Sequence, residues 1–210
     1  MATTHSSTLV STMAASATTS PRAISAASVL LMAGLTAAAA QVSVPLPFSQ
    51  VPFTFQPMVV LLGGLALGSR LGASAQVLYL LAGIAGLPVF AASATLPQGI
   101  FRLMGPTGGY LISYPVAAYL VGRLAERGFD RRYLSSVVAM VAGLLVVYAA
   151  GAAGLALFAQ TGTVTTTTAI RTAVATGVLP FVVADVLKLV CAAGIVPGLW
   201  SLLGQRPTSR

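Results

Sequence analysis

The chain alternates long apolar runs with short stretches of proline, glycine, arginine and threonine. A helix needs about 20 mostly apolar residues to cross a bilayer. Six stretches fit, some of them short: about Ile24 to Val42, Phe53 to Leu67, Ala73 to Val89, Gly108 to Val121, Tyr133 to Phe158 and Gly177 to Leu203. Arg171 is an alternative start for the last. Glycine and proline inside these runs do not exclude them, because neighbouring helices can satisfy the freed backbone groups. The pattern predicts an all-α integral membrane protein, with one six-helix transmembrane domain over residues 21–210. Residues 1–20 are rich in Ser, Thr and Ala, have no apolar period and lack the basic start and continuous apolar run of a signal peptide. They are expected to form a disordered tail, with Met13 as an alternative initiator.

The connections predict sidedness. Pro45, Pro47 and Pro52 make the first one stiff and extended. Ser69 to Gly72 reads as a tight turn carrying Arg70, Phe90 to Gly105 as a longer loop holding Arg102, and Arg123 to Arg132 as a short basic loop. Ala159 to Ala169 is Thr-rich and uncharged. With the N-terminus in the cytoplasm, Arg22, Arg70, Arg123, Arg127, Arg131, Arg132, Arg206 and Arg210 fall inside, and only Arg102 and Arg171 outside. The positive-inside rule then places both termini in the cytoplasm of a multi-pass protein of the cell membrane. Tyr133 and Trp200 fall near the cytoplasmic interfaces, where an aromatic belt or ordinary packing accounts for them equally well.

Composition changes the picture by exclusion. Of 210 residues, 57% are hydrophobic and 7% charged, against roughly 25% charged in a soluble domain. The mean hydropathy is +0.93. Lipid must cover much of such a surface. The net charge of +8 lies on arginines scattered between apolar runs, not on the clustered basic face that nucleic acid requires. Cys191 is the only cysteine and His5, in the tail, the only histidine, so no disulfide, metal site or histidine chemistry is expected. There is no phosphate loop and no Ser–His or Cys–His set. The chain is not expected to be an enzyme or to carry a cofactor, and any ATP hydrolysis must belong to another protein.

Asp185 and Lys188 lie inside the last apolar run, and Lys188 is the only lysine. Each charge costs about 2.5–3.5 kcal/mol at the centre of an inserted helix. Three residues apart, they share a helix face and can pair. A self-satisfied ion pair is one reading. A ligand site is the stronger one, because intramembrane charges mark ligand or ion paths. Gly105-Pro-Thr-Gly-Gly-Tyr110 opens the fourth run, and Gly108 and Gly109 there suit either close backbone approach to a ligand or helix packing. Gln41, Thr54, Gln56 and Arg102 fall on the outer side and together could line an outward cavity. Ala33 and Ala37, with Gly34 and Ala38 beside them, make a small-residue face suited to internal packing or to a partner subunit.

In this order on six runs, Gln41-Val-Ser-Val-Pro-Leu-Pro47, Val51-Pro-Phe-Thr-Phe-Gln56, Ala82-Gly-Ile-Ala-Gly-Leu-Pro-Val-Phe90, Gly105-Pro-Thr-Gly-Gly-Tyr110 and Asp185-Val-Leu-Lys188 resemble BioY, the biotin-binding S component of energy-coupling factor (ECF) transporters. The resemblance covers Ala33 to about Leu203. It implies the six-helix S-component bundle, an outward-opening vitamin site and tight biotin binding. It also implies a partner module of a membrane coupling protein and two ATPases, met by the Ala33 and Ala37 face. Asp185 and Lys188 would meet the ureido ring, Arg102 the valerate carboxylate, and Phe53, Phe90 and Tyr110 the apolar parts. The alternatives are an S component for another small vitamin and a non-transporting structural subunit.

Overall fold

The computed structural model describes residues 8–10, 12, 20–92, 98–159 and 165–202. The chain forms α1 (Pro21–Gln41), α2 (Gln56–Leu67), α3 (Ser69–Ile84), α4 (Gly108–Leu124), α5 (Tyr133–Ala159), α6 (Thr166–Gly177), α7 (Leu179–Ala192) and α8 (Ile195–Leu202). Among the described residues, three stretches are long and apolar enough to cross a membrane: Pro21–Gln41, Tyr133–Ala159 and Leu179–Leu202. The other segments expected to cross are shorter helices, α2 with 12 residues, α3 with 16 and α4 with 17. One short hairpin departs from the all-helical expectation. Strand β1 (Ser43–Val44) pairs antiparallel with β2 (Phe53–Thr54), in the register Ser43 to Thr54 and Val44 to Phe53. The prolines between them keep that connection out of helix.

Most of the expected tail, residues 1–7, 11 and 13–19, lies outside the described residues. Thr8, Leu9 and Val10 are buried. Leu9 joins the main core and Val10 packs with Met32, Leu67 and Ala75. Helix begins before the last predicted run, and that run is divided into α7 and α8. Thr165, in extended conformation, precedes α6, so helix begins inside the stretch expected to be a Thr-rich loop. Pro180 in the first turn of α7 cannot donate a backbone hydrogen bond and ends the continuity with α6.

Helix α3 also starts earlier than expected, at Ser69, for a long-range reason. The carboxylate of Glu126 accepts from the Ser69 amide at 2.8 Å and from the Ser69 hydroxyl at 2.6 Å. A carboxylate over free amides at a helix N-terminus satisfies orphan donors and meets the positive end of the helix dipole. Gly68, at φ +85°, makes the turn from α2. Arg123 holds the other oxygen of Glu126 at 3.3 Å. Next to this cap, the Trp200 indole donates to the fully buried Asp130 at 2.7 Å, and the Arg131 guanidinium stacks 3.6 Å from the Trp200 ring. Trp200 is therefore a packing residue that ties α8 to the α4–α5 connection. The Tyr133 hydroxyl donates to the Val190 carbonyl at 2.9 Å.

Burial raises the Glu126 pKa, but the Ser69 hydroxyl and amide and Arg123 outweigh it and leave the carboxyl below its ordinary value. The stabilisation is thus fully present above the unfolded pKa, about 4.3. It is lost as pH falls through the lower folded value. Glu126→Gln should lower thermal stability at neutral pH by about 0.5–2 kcal/mol, as for a lost cap. It should also remove this part of the acid-side decline. Burial pushes Asp130 above its ordinary value, so Asp130 contributes with the opposite sign. It does so in both proteins, and melting curves of wild type and variant against pH isolate Glu126. Superimposable curves would rule the cap out.

Close helix packing depends on two glycine contacts. A Cβ on Gly109 would fall on the Ala150 carbonyl oxygen, and one on Gly154 would lie 2.8 Å from the Gly109 Cα, so α4 and α5 touch backbone to backbone. A Cβ on Gly122 would fall on the Gly68 carbonyl carbon and the Ser69 backbone. These contacts fix α4, whose first half carries the side chains described next.

Candidate functional site

Gln56 opens α2 and Tyr110 lies in the first turn of α4, while Gly68 and Glu126 follow the other ends of these helices. The cavity bounded by Gln56 and Tyr110 is therefore at the opposite end of the bundle from the Glu126 cap. Its volume is about 620 Å³, open solvent at its mouth included. Val51, Pro52 and Thr54 from the hairpin form one wall. Phe90, Ala91 and Arg102 form another, and Tyr110, Tyr114, Tyr148, Phe181 and Asp185 close it from α4, α5 and α7.

The walls are held by polar links. The Gln56 side-chain amide donates to the Tyr79 hydroxyl at 2.7 Å, and Tyr79 donates to the Val89 carbonyl at 3.2 Å. The Tyr79 and Phe90 rings meet edge to face, with centroids 5.5 Å apart, and Gly83 leaves the space that the Phe90 ring fills. Tyr110 donates to the Gly177 carbonyl at 2.6 Å, tying the start of α4 to the α6–α7 junction.

Asp185 is 5% exposed and borders the cavity. One of its oxygens accepts from the Tyr148 hydroxyl at 2.7 Å and the other from the Lys188 ammonium at 2.7 Å. Each carboxylate oxygen keeps acceptor capacity for a further donor. Lys188 itself does not border the cavity. It donates to the Thr54 carbonyl at 2.7 Å and lies 3.5 Å from the centroid of the Phe53 ring. The pair expected from its spacing is present, but only its acid faces the cavity.

Arg102 ends a short 3-10 turn, Ile100–Arg102, is 4% exposed and borders the cavity. Its guanidinium donates to the Ala91 carbonyl, and its Nε has no partner among the described residues. Burial draws its pKa below the ordinary value. The chain has three acidic residues, and each is engaged elsewhere: Glu126 with Arg123, Asp130 with Arg131 and Asp185 with Lys188. Arg102 is thus a buried cation without a protein counter-ion, which is costly unless an anion meets it.

Of the residues singled out in the sequence, Thr54, Gln56, Tyr110, Arg102 and Asp185 line one cavity. Gln41 does not border it. Its side chain is exposed and donates to the Ala37 and Pro88 carbonyls. Gly108 and Gly109 do not border it either. They are packed against the Leu103 carbonyl and against α5. Ala33 is 8% exposed and joins the main core, Ala37 packs against that core, and Gly34 and Ala38 face outward.

Tyr114, Tyr148 and Phe181 were not singled out in the sequence. Tyr114 is 3% exposed and lines the cavity, and its hydroxyl has no hydrogen bond among the described residues. A buried tyrosine hydroxyl ordinarily finds a partner. Tyrosines inside apolar runs beside a lone membrane aspartate were the available signal.

Residues 8–205 match the BioY family model. The chain is 39% identical over 171 residues to the probable biotin transporter BioY of Pyrococcus horikoshii, covering 81% of this chain and 93% of that one. It is 37% identical over 163 residues to the biotin transporter BioY of Thermotoga maritima, covering 78% and 89%. Its fold matches the crystal structure of an S-component for biotin from an ECF-type ABC transporter, with a TM-score of 0.74 at 21% identity over 88% of this chain and 95% of that one.

Proposed function

Because the chain belongs to the BioY family, we propose that it is the biotin-binding membrane subunit of an ECF uptake transporter. It is not an enzyme. It crosses the cell membrane six times, α2, α3 and α4 being its shorter crossings, and both termini are cytoplasmic. The end where Glu126 caps Ser69, with Arg70 next to Ser69 and Arg123, Arg127, Arg131 and Arg132 near Glu126 in sequence, is then the cytoplasmic end, and the cavity opens outward. A membrane coupling protein and two ATPases drive uptake. The coupling protein docks on the outward small-residue face of α1 at Gly34 and Ala38, since Ala33 and Ala37, expected to form that face, pack inward.

One observation carries the choice of ligand: the cavity holds a cation without a counter-ion and, separately, a carboxylate with acceptor capacity to spare. Biotin offers a carboxylate at one end and two ureido N–H donors at the other. Arg102 receives the carboxylate, and Asp185 accepts from the ureido ring. The free Tyr114 hydroxyl can donate to the ureido carbonyl, and Phe90, Tyr110 and Phe181 pack on the thioether ring and aliphatic chain. Charge-assisted hydrogen bonds of this kind are strong away from water.

The test is a titration of the purified protein in detergent with biotin, thiamine, riboflavin and the neutral primary amide of biotin. Biotin should bind tightly and the other two vitamins should not. Arg102→Gln should weaken biotin by roughly 30-fold or more, the effect of about 2 kcal/mol for a buried charge losing its partner. The same variant should change the amide far less. Binding of thiamine or riboflavin as tightly as biotin would overturn the assignment. Equal losses for acid and amide in Arg102→Gln would remove Arg102 from the carboxylate.

A further inference from the structure

Arg70, Arg123 and Arg127 gather at one point, at the end of the bundle opposite the cavity. Arg70 follows Ser69, whose amide and hydroxyl donate to one Glu126 oxygen at 2.8 and 2.6 Å. Arg123 donates to the other oxygen at 3.3 Å, and Arg127 follows Glu126 in the chain. Three arginines thus meet one carboxylate whose oxygens are both taken. Arg70 and Arg127 are exposed and make no hydrogen bond or ion pair among the described residues. The other two acids, Asp130 and Asp185, are buried and paired elsewhere. The cluster therefore holds positive charge that no acidic residue of the chain offsets.

Two exposed apolar stripes run into this cluster. On α4, Ile112, Val116 and Tyr119 are exposed and share a helix face with Arg123. On α3, Leu81 and Val77 are exposed and share a face with Arg70. The two helices pack together, and Gly122 brings the end of α4 onto the Ser69 backbone. In a membrane protein such stripes meet acyl chains. Arg70 and Arg123 then stand where the chains end, at the level of the headgroups, with Tyr119 one turn deeper as an interfacial aromatic. Guanidinium groups above an apolar seam complement an amphiphile with an anionic head. The phosphate of such a head matches the guanidinium fork.

We propose that this end of the α3–α4 seam binds an anionic phospholipid. Arg70, Arg127 and the remaining N–H groups of Arg123 hold its phosphate, and its acyl chains lie along Val77, Leu81, Val116 and Tyr119. The positive-inside rule gives these arginines a side of the membrane, and the cluster gives them a particular ligand. Placement in the inner leaflet rests on the topology proposed above, whereas the preference for an anionic head does not.

The experiment is native mass spectrometry of the full chain released from mixed micelles of equal phosphatidylglycerol and phosphatidylcholine. It compares wild type, Arg70→Gln/Arg127→Gln and a control, Arg22→Gln/Arg171→Gln, which loses the same charge from exposed arginines elsewhere. The wild type should retain phosphatidylglycerol over phosphatidylcholine by roughly tenfold or more, since each basic side chain at a headgroup contributes about a factor of five. Arg70→Gln/Arg127→Gln should lose most of that preference, and the control should keep it. Equal retention of the two lipids by the wild type would overturn the site, whether or not the variants fold. So would an equal loss in both variants, which would leave the arginines to general surface charge or to an acidic face of a protein partner. Inorganic phosphate at the lipid's concentration should not displace phosphatidylglycerol. Displacement would assign the cluster to a free anion and overturn the lipid. The measurement has no sidedness and uses no biotin, so a wrong topology or a wrong vitamin would leave its result standing.

Discussion

Asp185→Ala should weaken biotin binding by roughly 30-fold at the least and toward several thousand-fold, the range that about 2–5 kcal/mol gives for one partner removed from a buried charged pair. The size follows from what would be left behind. Lys188 would keep its charge with only the Thr54 carbonyl to receive it. The Tyr148 hydroxyl would lose its acceptor. A ureido N–H would enter the cavity with no carboxylate to meet, and a buried donor left unsatisfied is penalised more than a made bond is rewarded. Tyr148→Phe separates orientation from contact. Its hydroxyl only steadies Asp185, so its loss should weaken binding by about tenfold at most, near the 0.5–1.5 kcal/mol of an ordinary hydrogen bond. Equilibrium dialysis with labelled biotin measures both. Wild-type affinity in Asp185→Ala would leave the cavity without its polar anchor, and a larger loss in Tyr148→Phe than in Asp185→Ala would reverse the roles.

The charged anchor was legible because it breaks a rule. In a chain with three acids and one lysine, two of those residues on one face of an apolar run call for an explanation. Their division of labour was not legible, because the carbonyl that engages Lys188 belongs to Thr54, brought in only by tertiary folding. The start of α3 was hidden for the same reason, since its cap, Glu126, comes from the far end of α4. Spacing alone could not orient α1. Ala33 with Ala37 and Gly34 with Ala38 are equally small and equally spaced, and packing turns the first pair inward and leaves the second facing out. Arg102 read as an outer-loop arginine and a candidate for the valerate carboxylate. What the sequence could not show is that every carboxylate side chain in the chain has another partner. Tyr114 and Tyr148 were concealed by their neighbours, since an aromatic residue in an apolar run looks like core until its hydroxyl is traced.

Gly122→Leu should abolish the folded, monodisperse protein, and Gly122→Ala should already lower its melting temperature. A Cβ at this position would fall on the Gly68 carbonyl carbon and the Ser69 backbone. Backbone atoms at a helix start cannot move aside as a flexible side chain can. Helix α4 would have to back away from the α2–α3 turn. The Glu126 carboxylate would leave the Ser69 amide with it, and Tyr110 and Tyr114, on the same rigid helix, would shift in the cavity wall. Overpacking a core by a methylene or two typically costs about 1–3 kcal/mol. A clash with fixed backbone that also breaks a cap lies above that range, against a total stability of about 5–15 kcal/mol. Gly34→Ala in α1 is the matched control. The substitution is the same and the position is also helical, but nothing lies within 4 Å of the added atom. Alanine is favoured over glycine in a helix by about 1 kcal/mol, so Gly34→Ala should leave the melting temperature unchanged or raise it. Size-exclusion profiles after a heating series read both variants. If Gly122→Leu melted with the wild type, α4 could not lie against the Ser69 turn, and the cavity that α4 helps to build would have to be redrawn.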